Sequence, residues 1–226
     1  MFNNPKERAI LSGIASMMAK IVAADEHIVP EEIRGSELVF SRLGLDREKF
    51  DFCCGVFREA LQDPRTVYDC AQEFAAAHPD MNVREIAYEI LWDLACADSV
   101  VTPEEVEILR RICRDLGIVP ARFARQLAKR GLQSVPPSAA EPAVQDQADG
   151  TPRGDSDASV NPYEVIGIAA SASDEDVQAA YEAKARALQP SYLREIGLSD
   201  ALICRARGRR SRLNDAWARI RSERGL

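Results

Sequence analysis

Four carboxylates are spaced as if they could work together. Asp25 and Glu32 lie seven residues apart (32 − 25 = 7), and Asp98 and Glu105 repeat that interval at a constant offset (98 − 25 = 73). Hard cations take several oxygens converging on one point, and two aspartates with two glutamates near a pseudo-twofold axis would supply them. His27 would add a nitrogen in one copy. A second candidate lies in "ARALQPSYLREIGL", where a charged, helical run breaks at Gln189-Pro190-Ser191 ahead of an arginine-rich segment. Neither His27 nor His78, the two histidines, has a catalytic partner visible in the sequence. No nucleophile elbow, P-loop, H-E-x-x-H or G-x-G-x-x-G occurs. An enzyme is not expected, and no cofactor beyond a divalent cation at the four acids.

The elements that must position these residues read as helices. Thr102 is a good N-cap, Pro103 suits the first helical position, and Glu105 completes a capping box while Glu104 offsets the helix dipole. The copy at Val29-Pro30-Glu31-Glu32 keeps the proline and the acids without the capping hydroxyl. Capping and dipole roles explain the acids without a metal, and that explanation is preferred. The match between "AADEHIVPEEI" and "CADSVVTPEEV" extends to Leu43-Gly44 against Leu116-Gly117 and Phe50 against Phe123 at the same offset. A gapless repeat of that length predicts two helical hairpins facing each other across one core. His78 precedes Pro79, where a helix must end, and is expected to act there as a C-terminal dipole partner.

The totals place these pieces. Apolar residues recur at three- and four-residue spacing, as in Ile86, Ile90, Leu91 and Leu94, and strand signals are nearly absent, so the fold class is all-α. The segment 132–160 is rich in Pro, Ala, Asp, Ser and Gly and cannot repay its ordering entropy, which predicts a flexible linker. It separates a helical domain at 1–131 from a smaller module at 161–226. The net charge of −7 over 226 residues argues against nucleic acid as a partner of the whole chain. The six cysteines form no C-x-x-C pair and read as small core hydrophobes in a reducing cytoplasm. Ala9 to Ala24 reads as a buried helix, too short and too polar to cross a bilayer. Oligomeric state is not legible.

The repeated phrase resembles that of the TerB-like domain, a helical bundle with an Ala-Asp-Gly-x-Ile-x-x-x-Glu repeat that also occurs in DjlA-like co-chaperones. Asp25 and Asp98, Ile28 and Val101 or its neighbour Val100, and Glu32 and Glu105 match it; Glu26 and Ser99 replace the glycine, so the turn departs from the family form. The resemblance covers about residues 5 to 130.

The last module is expected to hold a short helix from Pro162 to Ile166 ended by Gly167, then a helix started by Ser173, with Val177, Ala180, Tyr181, Ala185 and Leu188 inward. An exposed loop and a last helix complete a small antiparallel helical hairpin, the last helix lined by Leu202 or Ile203, Ala206, Leu213, Ala216, Trp217 and Ile220. "NPYEVIG", Ser173-Asp174-Glu175, Ala180-Tyr181 and "LNDAW" resemble a J domain, and the connection "YLREIGLSDALI" is most similar to that of the DjlA-like co-chaperones. The resemblance implies a DnaK-type ATPase as partner, contacted through a basic helix face and a His-Pro-Asp trigger. Here Gln189, Pro190 and Ser191 hold the trigger positions, and Lys184 and Arg186 remain of the basic face, with Glu182 where a cation is usual. Two neutral side chains cannot supply the trigger's charges. A degenerate J-like module, unable to stimulate the ATPase in the usual way, is therefore the leading expectation. An active co-chaperone with an altered trigger and a stress-resistance protein binding a metal or oxyanion are the alternatives. Arg210 falls where the family is apolar or small, so either it snorkels or the helix starts late. The arginines from 205 to 212 would suit an acidic partner, whether the acidic first domain, anionic lipid or RNA, although a solvated helix face is the preferred reading because no aromatic residues interleave for base stacking. Members of the family carry an N-terminal membrane helix; only a few residues precede the first helix here, so a soluble cytoplasmic protein is expected.

Overall fold

The offset of 73 residues carries into three dimensions. In the computed structural model, which describes residues 4–24, 30–97, 101–132 and 161–226, α1 (Pro5–Val22), α2 (Pro30–Arg42) and α3 (Arg47–Leu61) are followed by the linking helix α4 (Val67–Ala77). Then α5 (Met81–Ala95), α6 (Pro103–Asp115) and α7 (Pro120–Lys129) repeat the first three. Helices α2 and α6 start 73 residues apart (103 − 30) and end 73 apart (115 − 42), and α1 and α5 also end 73 apart (95 − 22). Gly44 and Gly117 close the corresponding helices in the left-handed region, each with φ of 68°, where a Cβ would be strained. No strand occurs among the described residues.

Local chemistry sets the helix ends. Asn4, Asp46 and Asp80 each accept a backbone N–H at a helix start. Thr66 with Asp69 and Thr102 with Glu105 form complete capping boxes. Inside, α1 packs against α3, α4 and α5, and α4 against α6. Ile10, Ile14, Met17, Ile86, Ile90, Trp92 and Leu109 are fully buried in one core. Lys20 is buried too, but its ammonium donates to the Asp63 carbonyl, so the charge is not left unsatisfied. No cysteine forms a disulfide; Cys53, Cys54, Cys70 and Cys113 are buried, and burial pushes the Cys53 thiol up to about 12.

The second part of the chain contains α8 (Pro162–Ile166), α9 (Asp174–Ala187), α10 (Pro190–Glu195) and α11 (Asp200–Arg224). Gly167 ends α8 in the left-handed region, and Ser173 caps α9, as the sequence predicts. Its own core is small: Ile166, Val177, Leu213 and Ile220 are buried, flanked by half-buried Tyr163, Tyr181, Leu188 and Trp217. Leu193, Leu198, Leu202, Ile203 and Ala206 are just as buried but belong to the core of the first bundle. Helix α11 is thus shared, its first half on α5 and its second half on α8 and α9.

Several expectations for this part are corrected. The exposed loop after α9 is a helix, α10, seated on the bundle, because Leu193 finds an apolar surface there. The last helix starts at Asp200 and runs unbroken through Gly208. Arg210 is exposed and Arg209 is the buried arginine, because the inner face of α11 turns toward α5. Trp217 is half-buried rather than central, stacked on Tyr181 at 4.6 Å between ring centroids. The expected linker at 132–160 lies, except for Leu132, outside the described residues.

Two glycine substitutions should move stability in opposite directions. A Cβ at Gly208 would meet nothing within 4 Å, so Gly208→Ala should raise stability by about 0.5–1 kcal/mol in urea unfolding. Gly197 has φ of 107°, and a Cβ there would lie 2.5 Å from that of Lys6, so Gly197→Ala should lower stability by more than about 1 kcal/mol.

Candidate partner interface at the hairpin tip

The tip is built by two residues between two helices. Leu188 closes α9; Gln189 is extended (φ −71°, ψ 136°), and Pro190 opens α10 at its first position. A residue before proline is pushed out of the helical region, and proline at that first position gives up an N–H that would have had no intrahelical acceptor. The Gln189 side chain makes no capping hydrogen bond, and Gln189 and Ser191 are exposed. Both present neutral polar groups to solvent.

The two cations of α9 do not share one fate. Arg186 is exposed, whereas Lys184 is half-buried and donates from Nζ to the Val165 carbonyl at 3.0 Å. Burial, with the nearby Arg122 charge, lowers its pKa. Lys184 ties α9 to α8, and Arg186 is the one that faces outward.

The first bundle holds the tip from beside it. Asn82 donates from Nδ2 to the Ala187 carbonyl at 3.2 Å, and the Tyr192 hydroxyl donates to Asp80 Oδ2 at 2.6 Å. The Asp80 carboxylate keeps the Tyr192 phenol above its ordinary pKa. Asp80 completes a His-Pro-Asp tripeptide at 78–80, the triplet missing from the tip, and the fold sets it against α10. Its groups are already engaged. Asp80 Oδ1 caps α5 at 2.8 Å while Oδ2 takes the tyrosine, and the His78 ring lies against Phe74 at 4.5 Å. His78 does cap the end of α4, but not as a cation: burial and the Arg84 charge push its pKa down. Arg84 takes the expected dipole role instead, donating to the carbonyls of Ala75 and His78 at 2.6 Å each.

Farther along, charges pair across the two parts. Arg205 Nη1 meets Asp93 Oδ2 at 2.6 Å, and Arg130 reaches the other oxygen at 3.3 Å. Arg209, with a side chain only 4% exposed, meets Glu85 and Glu89 at 2.8 Å each, and Arg122 also binds Glu85 at 3.0 Å. The acids recur every four residues on α5 and the arginines every four on α11, so each set shares one helix face. That spacing is visible in the sequence, although either face alone reads as solvated. The acidic first domain is therefore the partner of Arg205 and Arg209, whereas Arg207, Arg210 and Arg212 are exposed.

Of the four acids, Glu105 alone has a described side chain. Asp25, His27 and Asp98 fall outside the described residues, and the same holds for the side chain of Glu32. Glu105 accepts from Thr102 N at 2.8 Å and Thr102 Oγ1 at 3.1 Å, which is its capping role. No group of three or more metal-ligating side chains occurs among the described residues.

A duplicated helical bundle of this kind defines a class, and the tellurite resistance protein TerB family matches residues 12–128, which is 117 of 226 positions (128 − 12 + 1). The chain belongs to that family. It is also similar to the co-chaperone protein DjlA of Vibrio cholerae serotype O1, at 23% identity, and to that of Photobacterium profundum, at 25%. Each match covers 93% of this chain and 76% of the relative, and so runs beyond the family's residues into the hairpin. No solved structure matches the chain. No helix among the described residues is long and apolar enough to cross a membrane.

Two measurements check this geometry. Arg209→Ala takes the paired cation from half-buried Glu89 while Glu85 keeps Arg122, and should cost roughly 1–3 kcal/mol, whereas Arg210→Ala should stay within about 0.5 kcal/mol. The unfolded chain takes up a proton at His78 near pH ~6.5 while the folded chain resists it. Stability is complete above that pH and falls as pH drops, so the urea midpoint should decline from pH 7 to pH 5, less steeply in His78→Gln.

Proposed function

We propose that the chain is a non-enzymatic, cytoplasmic, chaperone-associated adaptor: a DjlA-like protein whose hairpin engages a DnaK-type chaperone without stimulating its ATPase in the usual way. One observation carries this reading. The helix break at Pro190 is intact, and the two side chains it displays, Gln189 and Ser191, are exposed and uncharged. A J-like trigger works by presenting an imidazole and a carboxylate to its partner. Glutamine cannot become cationic and serine offers no charge to a partner arginine. The docking face of α9 is weakened in the same sense, since Lys184 is drawn inward to Val165 and Glu182 is exposed beside Arg186. Loss of complementary charge lowers both encounter rate and affinity. Similarity to the named co-chaperones across 93% of the chain supports a place beside a chaperone.

Single-turnover ATP hydrolysis by a DnaK-type chaperone tests the proposal. The chain should leave the rate unchanged, and Gln189→His/Ser191→Asp should raise it. Acceleration by the unaltered chain would overturn the proposal. No gain from the double substitution would locate the defect in the α9 face.

A further inference from the structure

We infer that Pro190–Ala206 is a latch: it fastens the hairpin to the first bundle so that the two parts unfold together and the tip keeps one orientation beside the Pro79–Met81 turn. The inference uses the proposed function only for the identity of the partner that meets this surface; the latch itself stands on the contacts.

Three features make the attachment more than a touch between neighbours. The first is apolar. Leu193, Leu198, Leu202, Ile203 and Ala206 are at most 3% exposed and lie in the core that also holds Trp92 and Leu109. Uncovering them would open both surfaces to water at once. The second is close approach: at Gly197 the chain passes so near the backbone of Lys6 and Glu7 that no side chain fits between them. The third is polar and distributed. Tyr192 and Asn82 join the two parts near the tip, Lys6 Nζ donates to the Glu195 carbonyl at 3.1 Å behind it, and Arg205 and Arg209 hold the far end. Asp80 and Asp93 lie 13 residues apart, about 20 Å along a helix. Fastened at both ends of that length and from α1 as well, the hairpin cannot pivot about a single contact.

The latch has a consequence for recognition. Pro79, which is exposed, and Met81, which is 40% exposed, flank the Asp80 that holds Tyr192 and so lie beside α10. The first bundle thus contributes to the surface that the tip presents, in addition to carrying it.

The two tryptophans, Trp92 in the bundle and Trp217 in the hairpin, allow a direct test. In full-length protein carrying Trp217→Phe, fluorescence reports Trp92 alone. Adding Leu202→Ala, in the hairpin part of the sequence, should lower the urea midpoint seen by Trp92 by on the order of 1 M. A Trp92 midpoint that stays at its parent value would overturn the latch. Should Leu202→Ala give no soluble protein, Tyr192→Phe removes a single oxygen; it should lower the same midpoint and speed amide exchange in the first turn of α5, and no change in either would be equally decisive. Neither readout contains a chaperone, so failure of the latch and failure of the proposed partner are seen in separate experiments.

Discussion

The pairing of α11 with α5 constrains most of what lies beyond the first bundle. Arg205 meets Asp93 and Arg209 meets Glu89 and Glu85, so the contact moves down α5 as it moves up α11, and the helices run antiparallel. Both sets are spaced by about one turn. A slip of one turn would carry Arg205 past the end of α5 in one direction, or leave Asp93 with Arg130 alone in the other. Burying a guanidinium is costly, and two carboxylates offset that cost without a large net gain, so the pair serves register more than stability. Attraction comes from Leu202, Ile203 and Ala206, which are buried against the same bundle. Apolar contact holds the helix on; charge decides where.

Because α11 is a continuous helix of 25 residues, fixing its first half also fixes its second. The second half carries Leu213 and Ile220, against which α8 and α9 assemble. A module with four fully buried apolar side chains has little core to stand on alone. Its placement is inherited through one helix from a bundle with a far larger interior. Gly208 lies between the two halves and weakens this joint without breaking it, since its backbone stays helical. The duplicated bundle is the rigid reference to which the tip is attached.

Much of this was legible from residue types. The capping box at Thr102 and Glu105, the short helix ending at Gly167 and the start at Ser173 all follow from chemistry within a few residues of each other. What escaped depends on partners far away in the chain. Helix α10 reads as loop because Leu193 is apolar without a visible surface to cover, and that surface comes from the bundle. Arg209 looks like a solvated charge because its carboxylates lie 120 and 124 residues earlier (209 − 89 and 209 − 85). His78 stands at a helix end, as the sequence predicts, but not as the dipole partner, since Arg84 arrives from the next helix to take the carbonyls.

The tip separates backbone from side chain in a way that bears on function. Its shape is fixed by Pro190, by the extended residue ahead of it, and by Tyr192 and Leu193 anchoring α10 from behind. None of these uses the side chain of Gln189 or Ser191, both of which point into water. The fold would form equally well with other polar residues at those positions. Stability therefore does not dictate what stands there, and the identity of these two side chains matters chiefly for whatever meets them from outside.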